Sequence, residues 1–506
     1  MQTHFLSIAL VCLVVSSGCN PKTQEENKGQ NPPNVLFIAV DDLNNWLGCL
    51  NDYSNTKTPN MDRLAAQGVL FSNAHCQAPL CGPSRASIMT GLRPSTTGIY
   101  GMTPDDKIRS DNPATRDIVF LPEYFGNHGY HTMGIGKLFH NHAPAGLFDE
   151  SGGRVKAFGP YPEERFVWDG FGTSDRKNYG RTNTDWGAFP ESDTLMPDHQ
   201  SVNWVIERLQ KDYDQPFFIG LGFLRPHVPF YVPQKWFDLH PIEGIEVAPY
   251  QPDDLQDIPP VGLKINDLPM MPSTEWAIEN GEWKNIIQAY LACVSFVDYE
   301  IGRVMEALEK SKHAENTIIV LWSDHGYRLG EKGTFAKHAL WEPATKAPLM
   351  FAGPSIPQGR IIDEPVELLS IYPTLLALSG LPAYERNEGK SLLNVLKNGK
   401  MDPKSVAITT FGMNNHGIKT KESRYIQYED GGEELYDHNK DPNEWTNLAN
   451  HPEHKALKEK LQEFLPTVNA PWDPSSNYKF QPYFVEQKAR TAGIREEKLK
   501  VENAPK

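Results

Sequence analysis

The chain has 506 residues, more than the ~250–300 at which one hydrophobic core stops growing, so the sequence predicts one large domain and a smaller one. Hydrophobic residues make up 39% and charged residues 22%, which excludes a disordered chain and a polytopic membrane protein. Because the net charge is -15, no nucleic-acid partner is expected, and an anionic substrate requires a local basic pocket.

The N-terminus has the order of an export signal. Residues 5–15 form an apolar run too short to span a bilayer, and small residues and Cys19 follow it. Residues 1–19 are therefore predicted to direct export to the periplasm or the cell surface. They also resemble a bacterial lipoprotein signal, in which Cys19 is lipidated and tethers the protein to a membrane. The polar, proline-containing residues 20–33 are predicted to be a flexible tether.

Short apolar runs alternate with helical stretches over residues 34–396, the predicted catalytic domain. This alternation is typical of an α/β fold with a mostly parallel sheet. The runs predicted to be its strands are residues 35–40, 131–135, 217–223 and 317–322. Polar or charged side chains follow each run. Because ligands bind beyond the carboxyl ends of strands in open α/β sheets, we expect these side chains to share one site.

Helices are predicted at residues 60–67, 286–310 and 368–378, the second from a long apolar periodicity. The Pro- and Asp-rich residues 241–275 are predicted to be a surface excursion. After residue 396 the character changes to short strands rich in Tyr and Gly, then to a charged tail. Residues 397–506 are therefore predicted to form the smaller C-terminal α+β domain, ending in a solvated helix or a frayed end.

One cysteine stands in a chemically suggestive place. Residues 81–85 read Cys-Gly-Pro-Ser-Arg, and Pro83 suits the first turn of a helix. Cys81 is thus expected at a helix N-terminus, where free N–H groups and the helix dipole favour an anion, and Arg85 adds a cation. From these residues alone, an inert helix-start cysteine and a functional one remain equally supported.

The wider context resembles a known family. Cys-Gly-Pro-Ser-Arg, followed by Ala-Ser-Ile-Met-Thr-Gly-Leu, is similar to the signature of the type I sulfatases. Over residues 33–450 the chain resembles the iduronate-2-sulfatase-like branch. The further motifs that occur in the family's order are Asp41-Asp42, Gly136-Lys137-Leu138-Phe139-His140, Arg225-Pro226-His227, Ser323-Asp324-His325-Gly326 and Lys337.

This resemblance implies a fold, a modification and a reaction. The fold is an alkaline-phosphatase/sulfatase-like mixed sheet sandwiched by helices. Cys81 becomes formylglycine, through a formylglycine-generating or an anaerobic sulfatase-maturating enzyme as partner. The hydrated aldehyde offers one hydroxyl to attack sulfur, and the second lets the aldehyde re-form when sulfate leaves. Arg85 helps to lower the pKa of the attacking hydroxyl and to neutralise its charge.

The metal site is expected from three carboxylates. Asp41, Asp42 and Asp324 offer hard oxygen ligands, which favour Ca²⁺ and, second to it, Mg²⁺. The resemblance implies that His325 and the modified Cys81 belong to the same set. An adjacent Asp pair also occurs as a turn or a helix cap after a strand.

Charge and placement suggest roles for the remaining motif residues. Lys137 and Lys337 are expected to bind sulfate oxygens, and His140 to act as general acid/base, because imidazole titrates near neutrality. His227 is expected to donate to the sulfate or to the leaving oxygen.

Other side chains are weaker candidates. Lys332 and His338 are predicted to be either substrate contacts or solvated surface. In the C-terminal domain Asn415, His416 and Lys419 are candidate sugar contacts. His75 is expected to be structural.

The predicted activity is the hydrolysis of sulfate esters on a sulfated polysaccharide or its oligosaccharides. The preferred substrate is a 2-O-sulfated uronic acid, of glycosaminoglycan or ulvan type. One alternative is a phosphomonoesterase or phosphodiesterase of the alkaline-phosphatase superfamily, which would prefer a Ser or Thr nucleophile and two metals. The other is a glycan-binding surface lipoprotein with a dead site, which would be expected to lose Cys81, His140 or the aspartates.

Overall fold

The computed structural model describes residues 32–155, 158–168, 182–402 and 404–502, with residues 494–502 described by their backbone alone. The predicted signal, Cys19 and all but the end of the tether lie outside these ranges, as do the last four residues. Within the described ranges, no helix has the length and apolar composition needed to cross a bilayer.

Sixteen strands occur in the described part of the chain. In order, β1 to β16 are Asn34–Asp41, Gly68–Phe71, Ala74–His75, His131–Gly136, Glu150–Gly153, Trp186–Ala188, Phe217–Pro226, Phe230–Val232, Thr317–Ser323, Leu349–Ala352, Arg360–Ile362, Val366–Glu367, Ala407–Thr410, His416–Lys419, Ser423–Gln427 and Glu433–Asp437. The four strands predicted from apolar runs are all present, as β1, β4, β7 and β9.

Fifteen α-helices occur in the same ranges. In order, α1 to α15 are Pro59–Ala66, Cys81–Thr90, Pro94–Thr97, Lys107–Ser110, Leu121–Asn127, Pro197–Leu209, Gln234–Phe237, Pro260–Asn266, Thr274–Glu279, Trp283–Glu309, Glu342–Thr345, Ile371–Leu378, Leu393–Asn398, Lys455–Gln462 and Pro482–Glu502. The predicted helix at 286–310 begins three residues earlier, at Trp283. The one at 368–378 begins as a 3₁₀ turn, Leu368–Ser370.

The large sheet has eight strands in the order β11-β2-β10-β9-β1-β7-β4-β5. The central four, β9, β1, β7 and β4, are parallel, while β10 runs antiparallel to β9 and β2. The sheet is therefore mixed, as predicted. Because β9, β1, β7 and β4 are neighbours and parallel, the residues after them emerge at one edge.

Both faces of this sheet are covered by helices. Along β1, Leu36 and Ile38 belong to one buried cluster, which includes side chains of α1, α6 and α10. Val35 and Phe37 point the other way, into a cluster with side chains of α2, α5 and α12. All eight residues of β1 are buried, as expected for a strand inside a helix–sheet–helix sandwich.

The C-terminal part is built on an antiparallel sheet, β13-β14-β15-β16. One face packs on α14, through Ile418, Tyr425 and Leu461. The described residues form one compact unit, and the domain boundary after residue 396 stays a prediction. The prediction of a surface excursion at 241–275 is wrong in part. This segment contains α8, whose Val261 and Ile265 are buried against the C-terminal part, since both side chains are apolar.

Candidate active site

Cys81 is the first residue of α2, as predicted from Pro83. Its side chain is fully buried and surrounded by charged groups. Its Sγ lies 3.2 Å from Lys337 Nζ, 3.4 Å from His325 Nε2 and 3.7 Å from Asp42 Oδ1. Burial, followed by the charge of Asp41, raises the pKa of the Cys81 thiol well above its usual value.

The three aspartates meet because their strands are neighbours. Asp41 ends β1 and Asp324 follows β9, and β1 and β9 pair in register up to Val40 and Ser323. Asp42 has a left-handed backbone, with φ of 61°, which is uncommon for a residue other than glycine. Its N–H donates to Asp324 Oδ1 at 3.2 Å, which fixes this conformation within the site.

Three buried cations face the three carboxylates. Arg85 Nε donates to Asp324 Oδ2 at 2.8 Å, and Lys337 Nζ lies 2.7 Å from Asp42 Oδ1. Lys137 Nζ donates to Asp41 Oδ2. Burial alone would raise the pKa of Asp41, but Lys137 and the neighbouring cations outweigh it and hold that pKa well below its usual range.

The position of Lys137 depends on a glycine. Gly136 ends β4 with φ of +80°, and a Cβ there would lie 2.0 Å from the carbonyl oxygen of Gly222 on β7. The chain can therefore turn towards the aspartates only with glycine at this position.

The same cluster offers a set of metal ligands. Ligand atoms of Asp41, Cys81, Asp324 and His325 lie within 4.8 Å of one another, and so do those of Asp41, Asp42, Cys81 and His227. The Nδ1–H of His325 donates to the carbonyl of Gly326 at 2.9 Å, so the Nε2 lone pair faces the carboxylates. The donor atoms therefore fit a hard divalent cation that also accepts one nitrogen ligand.

His140 and His227 border the same site. The N–H groups of His140, Asn141 and His142 all donate to Asp105, which fixes the loop after β4. No described residue partners the buried Nδ1 of His140. Burial, followed by Lys137, holds the pKa of His140 well below its usual value.

His227 follows the end of β7. Its Nδ1–H donates to the carbonyl of Val228 at 2.6 Å, and its Nε2 lies 3.9 Å from Asp42 Oδ2. Its ring stacks on Phe158, with centroids 4.5 Å apart. Burial, followed by Lys337, holds the pKa of His227 well below its usual value, which leaves the imidazole neutral.

A cavity of about 500 Å³ opens above this cluster, a size suited to a small ligand. Asp42 and Lys337 reach its lining, and Cys81, which does not line the cavity, contacts both of them. The cavity is also lined by His140, Phe158, His227, His338, Asn477, Lys479 and Phe480. The predicted metal and catalytic residues thus come together beside one cavity.

Several weaker candidates lie elsewhere. Lys332 is neither a substrate contact nor solvated, since it is 3% exposed and its Nζ donates to Asp254 Oδ1 at 2.5 Å. Asn415, His416 and Lys419 are also buried and do not line the cavity. Their partners lie inside the C-terminal part, so their prediction as sugar contacts is wrong. The contacts are Asn415 with Phe411, His416 with Thr410 and Lys419 with His438.

His338 and His75 are both buried, but only His338 lines the cavity. His338 is buried, not solvated, and lines the cavity. His75 is fully buried, and its ring nitrogens lie 2.8 Å from Asn73 Oδ1 and 3.4 Å from Thr345 Oγ1. This is the structural environment that the sequence predicted for His75.

Sequence reasoning missed Asp105 and the C-terminal lining residues. Asp105 stands next to Asp106 in a loop before α4, and no motif marks it. Asn477, Lys479 and Phe480 come from the stretch just before α15, where the alternation of Tyr478, Lys479 and Phe480 is the only available signal.

The comparison with known families decides the assignment. Residues 33–381 match the family described as "Sulfatase". This chain belongs to the sulfatase family. It is a type I sulfatase, as the motifs predicted, and it is a sulfuric ester hydrolase. Residues 330–471 match a second family, described as "N-sulphoglucosamine sulphohydrolase, C-terminal".

Individual sulfatases are similar over most of this chain. A "Sulfatase" of Formosa agariphila is 69% identical, over 97% of each chain. The iduronate 2-sulfatase of Homo sapiens is 32% identical, over 75% of this chain and 77% of its own. An "Ulvan-active sulfatase" of Formosa agariphila is 27% identical, over 92% and 86%.

Solved structures share the fold at lower identity. A 2-O GAG sulfatase matches with a TM-score of 0.64 and 22% identity, over 86% of this chain and 91% of that one. A phosphonate monoester hydrolase from Silicibacter pomeroyi matches with a TM-score of 0.66 and 20% identity, over 85% and 94%. The fold is therefore shared by sulfatases and a phosphonate hydrolase, so the fold alone does not identify the reaction.

Proposed function

We propose that this sulfatase removes sulfate from a sulfated carbohydrate, with formylglycine derived from Cys81 as its nucleophile. The observation that carries the proposal is the position of Cys81, at a helix N-terminus between Lys337, His325 and Asp42 beside a cavity. The preferred substrate is a 2-O-sulfated uronic acid in a glycosaminoglycan or ulvan. The similarity to iduronate 2-sulfatase and to an ulvan-active sulfatase supports this choice.

The cationic side chains and the histidines of the site have different proposed roles. Lys137 and Lys337 place two ammonium groups against the sulfate oxygens, and Arg85 fixes the carboxylates around residue 81. His227 carries its one proton on Nδ1, which donates to Val228, so it donates to the sulfate or to the leaving oxygen only once Nε2 has taken up a proton. His140 moves a proton at its unpartnered Nδ1, as general acid/base.

Ca²⁺ is the proposed metal, held by Asp41, Asp42, Asp324 and His325, with residue 81 as a further ligand. A bound divalent cation supplies Lewis-acid polarisation and lowers the pKa of an oxygen nucleophile. The carboxylates contribute the negative charge that holds such a cation beside residue 81.

The first experiment identifies residue 81 in protein purified from its native host. Mass spectrometry of the peptide that contains it is expected to show an aldehyde or its hydrate. Desulfation of a panel of defined sulfated oligosaccharides, with a phosphate monoester and a phosphate diester alongside, then identifies the substrate class. An unmodified thiol in active protein, or faster turnover of the phosphate esters, would contradict the proposal.

We also propose export and a lipid tether through Cys19, on the order of residues 1–19. The native protein is expected in the membrane fraction, while Cys19→Ala releases active enzyme into the soluble fraction. Equal distribution of the two proteins would contradict the tether.

A further inference from the structure

One wall of the cavity comes from beyond the matched families. The two family matches end at residues 381 and 471. Asn477, Lys479 and Phe480, which lie after both, nevertheless line the cavity. We call residues 470–480 the C-terminal strap. The strap therefore lines the cavity from outside the segments that define the two families, which makes it a candidate for substrate selection.

The strap is held in place by its backbone. Three of its N–H groups donate to carbonyls of the segment that follows α2: Ala470 to Ser95 at 2.7 Å, Asp473 to Gly98 at 2.8 Å and Asn477 to Met102 at 2.8 Å. The ring of Tyr478 is buried. Lys479 and Phe480 therefore extend from a fixed backbone, which lowers the entropy lost when they bind a ligand.

His338 stands beside the strap with unused hydrogen-bonding capacity. It is 7% exposed, and neither ring nitrogen has a partner among the described residues. Its backbone is left-handed, with φ of 54°, and its N–H donates to the carbonyl of Pro79 at 3.1 Å. Its ring centroid lies 6.3 Å from that of Tyr478. A buried, unpartnered imidazole on a strained backbone indicates a ligand contact.

The charges of the cavity lining point to the kind of ligand. Asp42 is the one carboxylate among the described lining residues, and Lys337 neutralises it at 2.7 Å. Lys479 has no ion pair within the described part of the chain. A cation free of an internal partner beside the sulfate site suits a substrate with a second negative group.

We infer that His338 and the C-terminal strap form the sugar-binding wall of the cavity, and that Lys479 pairs with a second anionic group of the substrate. That group is a carboxylate or a further sulfate on the same or the adjoining sugar. His338 exchanges hydrogen bonds with a sugar hydroxyl. This inference rests on the proposed function, because it assumes a carbohydrate sulfate as the substrate.

The test compares Lys479→Met with the wild-type enzyme on matched substrates. One probe is 4-nitrophenyl sulfate, which has no second anion. The others are a 2-O-sulfated uronate disaccharide, its carboxyl-reduced form, and the reduced form with one extra sulfate. We expect kcat/KM to fall about 10- to 100-fold only on probes with a second anion, mainly through KM. The affected probe shows whether a carboxylate or a sulfate is bound.

Lys440→Met is the matched control, because Lys440 carries the same charge in the turn after β16, with a side chain 82% exposed. His338→Phe keeps a ring but removes the hydrogen bonds, and is expected to slow sugar substrates while sparing 4-nitrophenyl sulfate. Equal loss on all probes, or no loss on any, overturns the inference. Wild-type enzyme that hydrolyses only 4-nitrophenyl sulfate also overturns it but leaves a sulfatase, whereas no sulfate hydrolysis by formylglycine-containing protein overturns both proposals.

Discussion

The Nζ of Lys337 lies 3.2 Å from the Sγ of Cys81. The same ammonium lies 2.7 Å from Asp42 Oδ1 and is nearly buried. Burial alone would lower the pKa of Lys337, but Asp42 and its neighbours outweigh it and raise that pKa well above its usual value. Lys337 therefore stays charged and couples the carboxylate set to residue 81.

Lys337→Met is expected to impair both activity and folding. It leaves Asp42 buried without its closest cation, and breaking a buried ion pair costs about 3–5 kcal/mol. We expect kcat/KM to fall at least about 100-fold and the free energy of unfolding to drop by a few kcal/mol. Urea unfolding and steady-state kinetics measure the two effects. Unchanged stability would show that Asp42 is neutralised by another group.

Cys81→Ala is expected to abolish turnover while the fold is kept. The substitution removes one buried atom, at a cost of about 1 kcal/mol. Thermal unfolding checks the fold, and turnover of a sulfated substrate checks the activity. The neighbouring variant Cys76→Ala, which also removes a buried thiol, is the control and should stay active. Substantial turnover by Cys81→Ala would mean that the nucleophile is another group.

His140→Ala is expected to slow the chemical step more than it weakens binding. General acid/base groups contribute about 10²- to 10⁴-fold, so kcat should fall by at least about 100-fold with a small change in KM. The pH profile of kcat should lose one of its limbs. An effect confined to KM would contradict the acid/base role.

Removal of the divalent cation is expected to lower stability as well as activity. The carboxylates of Asp41, Asp42 and Asp324 are fully buried. A cation present at a free concentration of 100 times its Kd adds about 2.7 kcal/mol to the free energy of unfolding. Chelation should therefore lower Tm, and Ca²⁺ should restore it better than Mg²⁺ does. Asp324→Asn should reduce this Ca²⁺-dependent rise. A Tm that is insensitive to chelation would argue against the metal site.

His416 is expected to affect stability in acid but not catalysis. Burial lowers its pKa to about 4, from about 6.5 in the unfolded chain. Between these two pKa values only the unfolded state binds the proton. The contribution of neutral His416 to the free energy of unfolding is therefore present above pH 6.5 and is lost as the pH falls to 4.

His416→Asn should reduce the slope of the free energy of unfolding against pH in this range, by up to about 1.4 kcal/mol per pH unit, and leave KM unchanged. Urea unfolding at several pH values measures the slope. His451→Asn is the control, because the His451 side chain is 50% exposed. A raised KM in His416→Asn would indicate that His416 contacts the substrate after all.

The central site was predictable because it follows a local rule. Asp41 ends a strand, Lys137, His227 and Asp324 each follow one, and parallel neighbours bring such residues together. The C-terminal contacts were not predictable in this way. Asn415 lies just before β14 and Lys419 ends it, and both look exposed in sequence, but Asn415 contacts Tyr483 of α15 and Lys419 contacts His438 after β16. Which residues meet there depends on packing across the whole chain, and so does the cavity lining after residue 476.

The strap that completes the cavity lies within the last 40 residues of the chain, yet its hydrogen bonds reach back to Ser95, Gly98 and Met102. A ribosome therefore releases every proposed ligand of the acidic cluster, and His338, long before it releases the strap. A message that stopped short of residue 470 would encode the whole reaction centre without the part of the proposed sugar-binding wall that carries Lys479. Translation order thus separates the reaction centre from the strap along a single polypeptide.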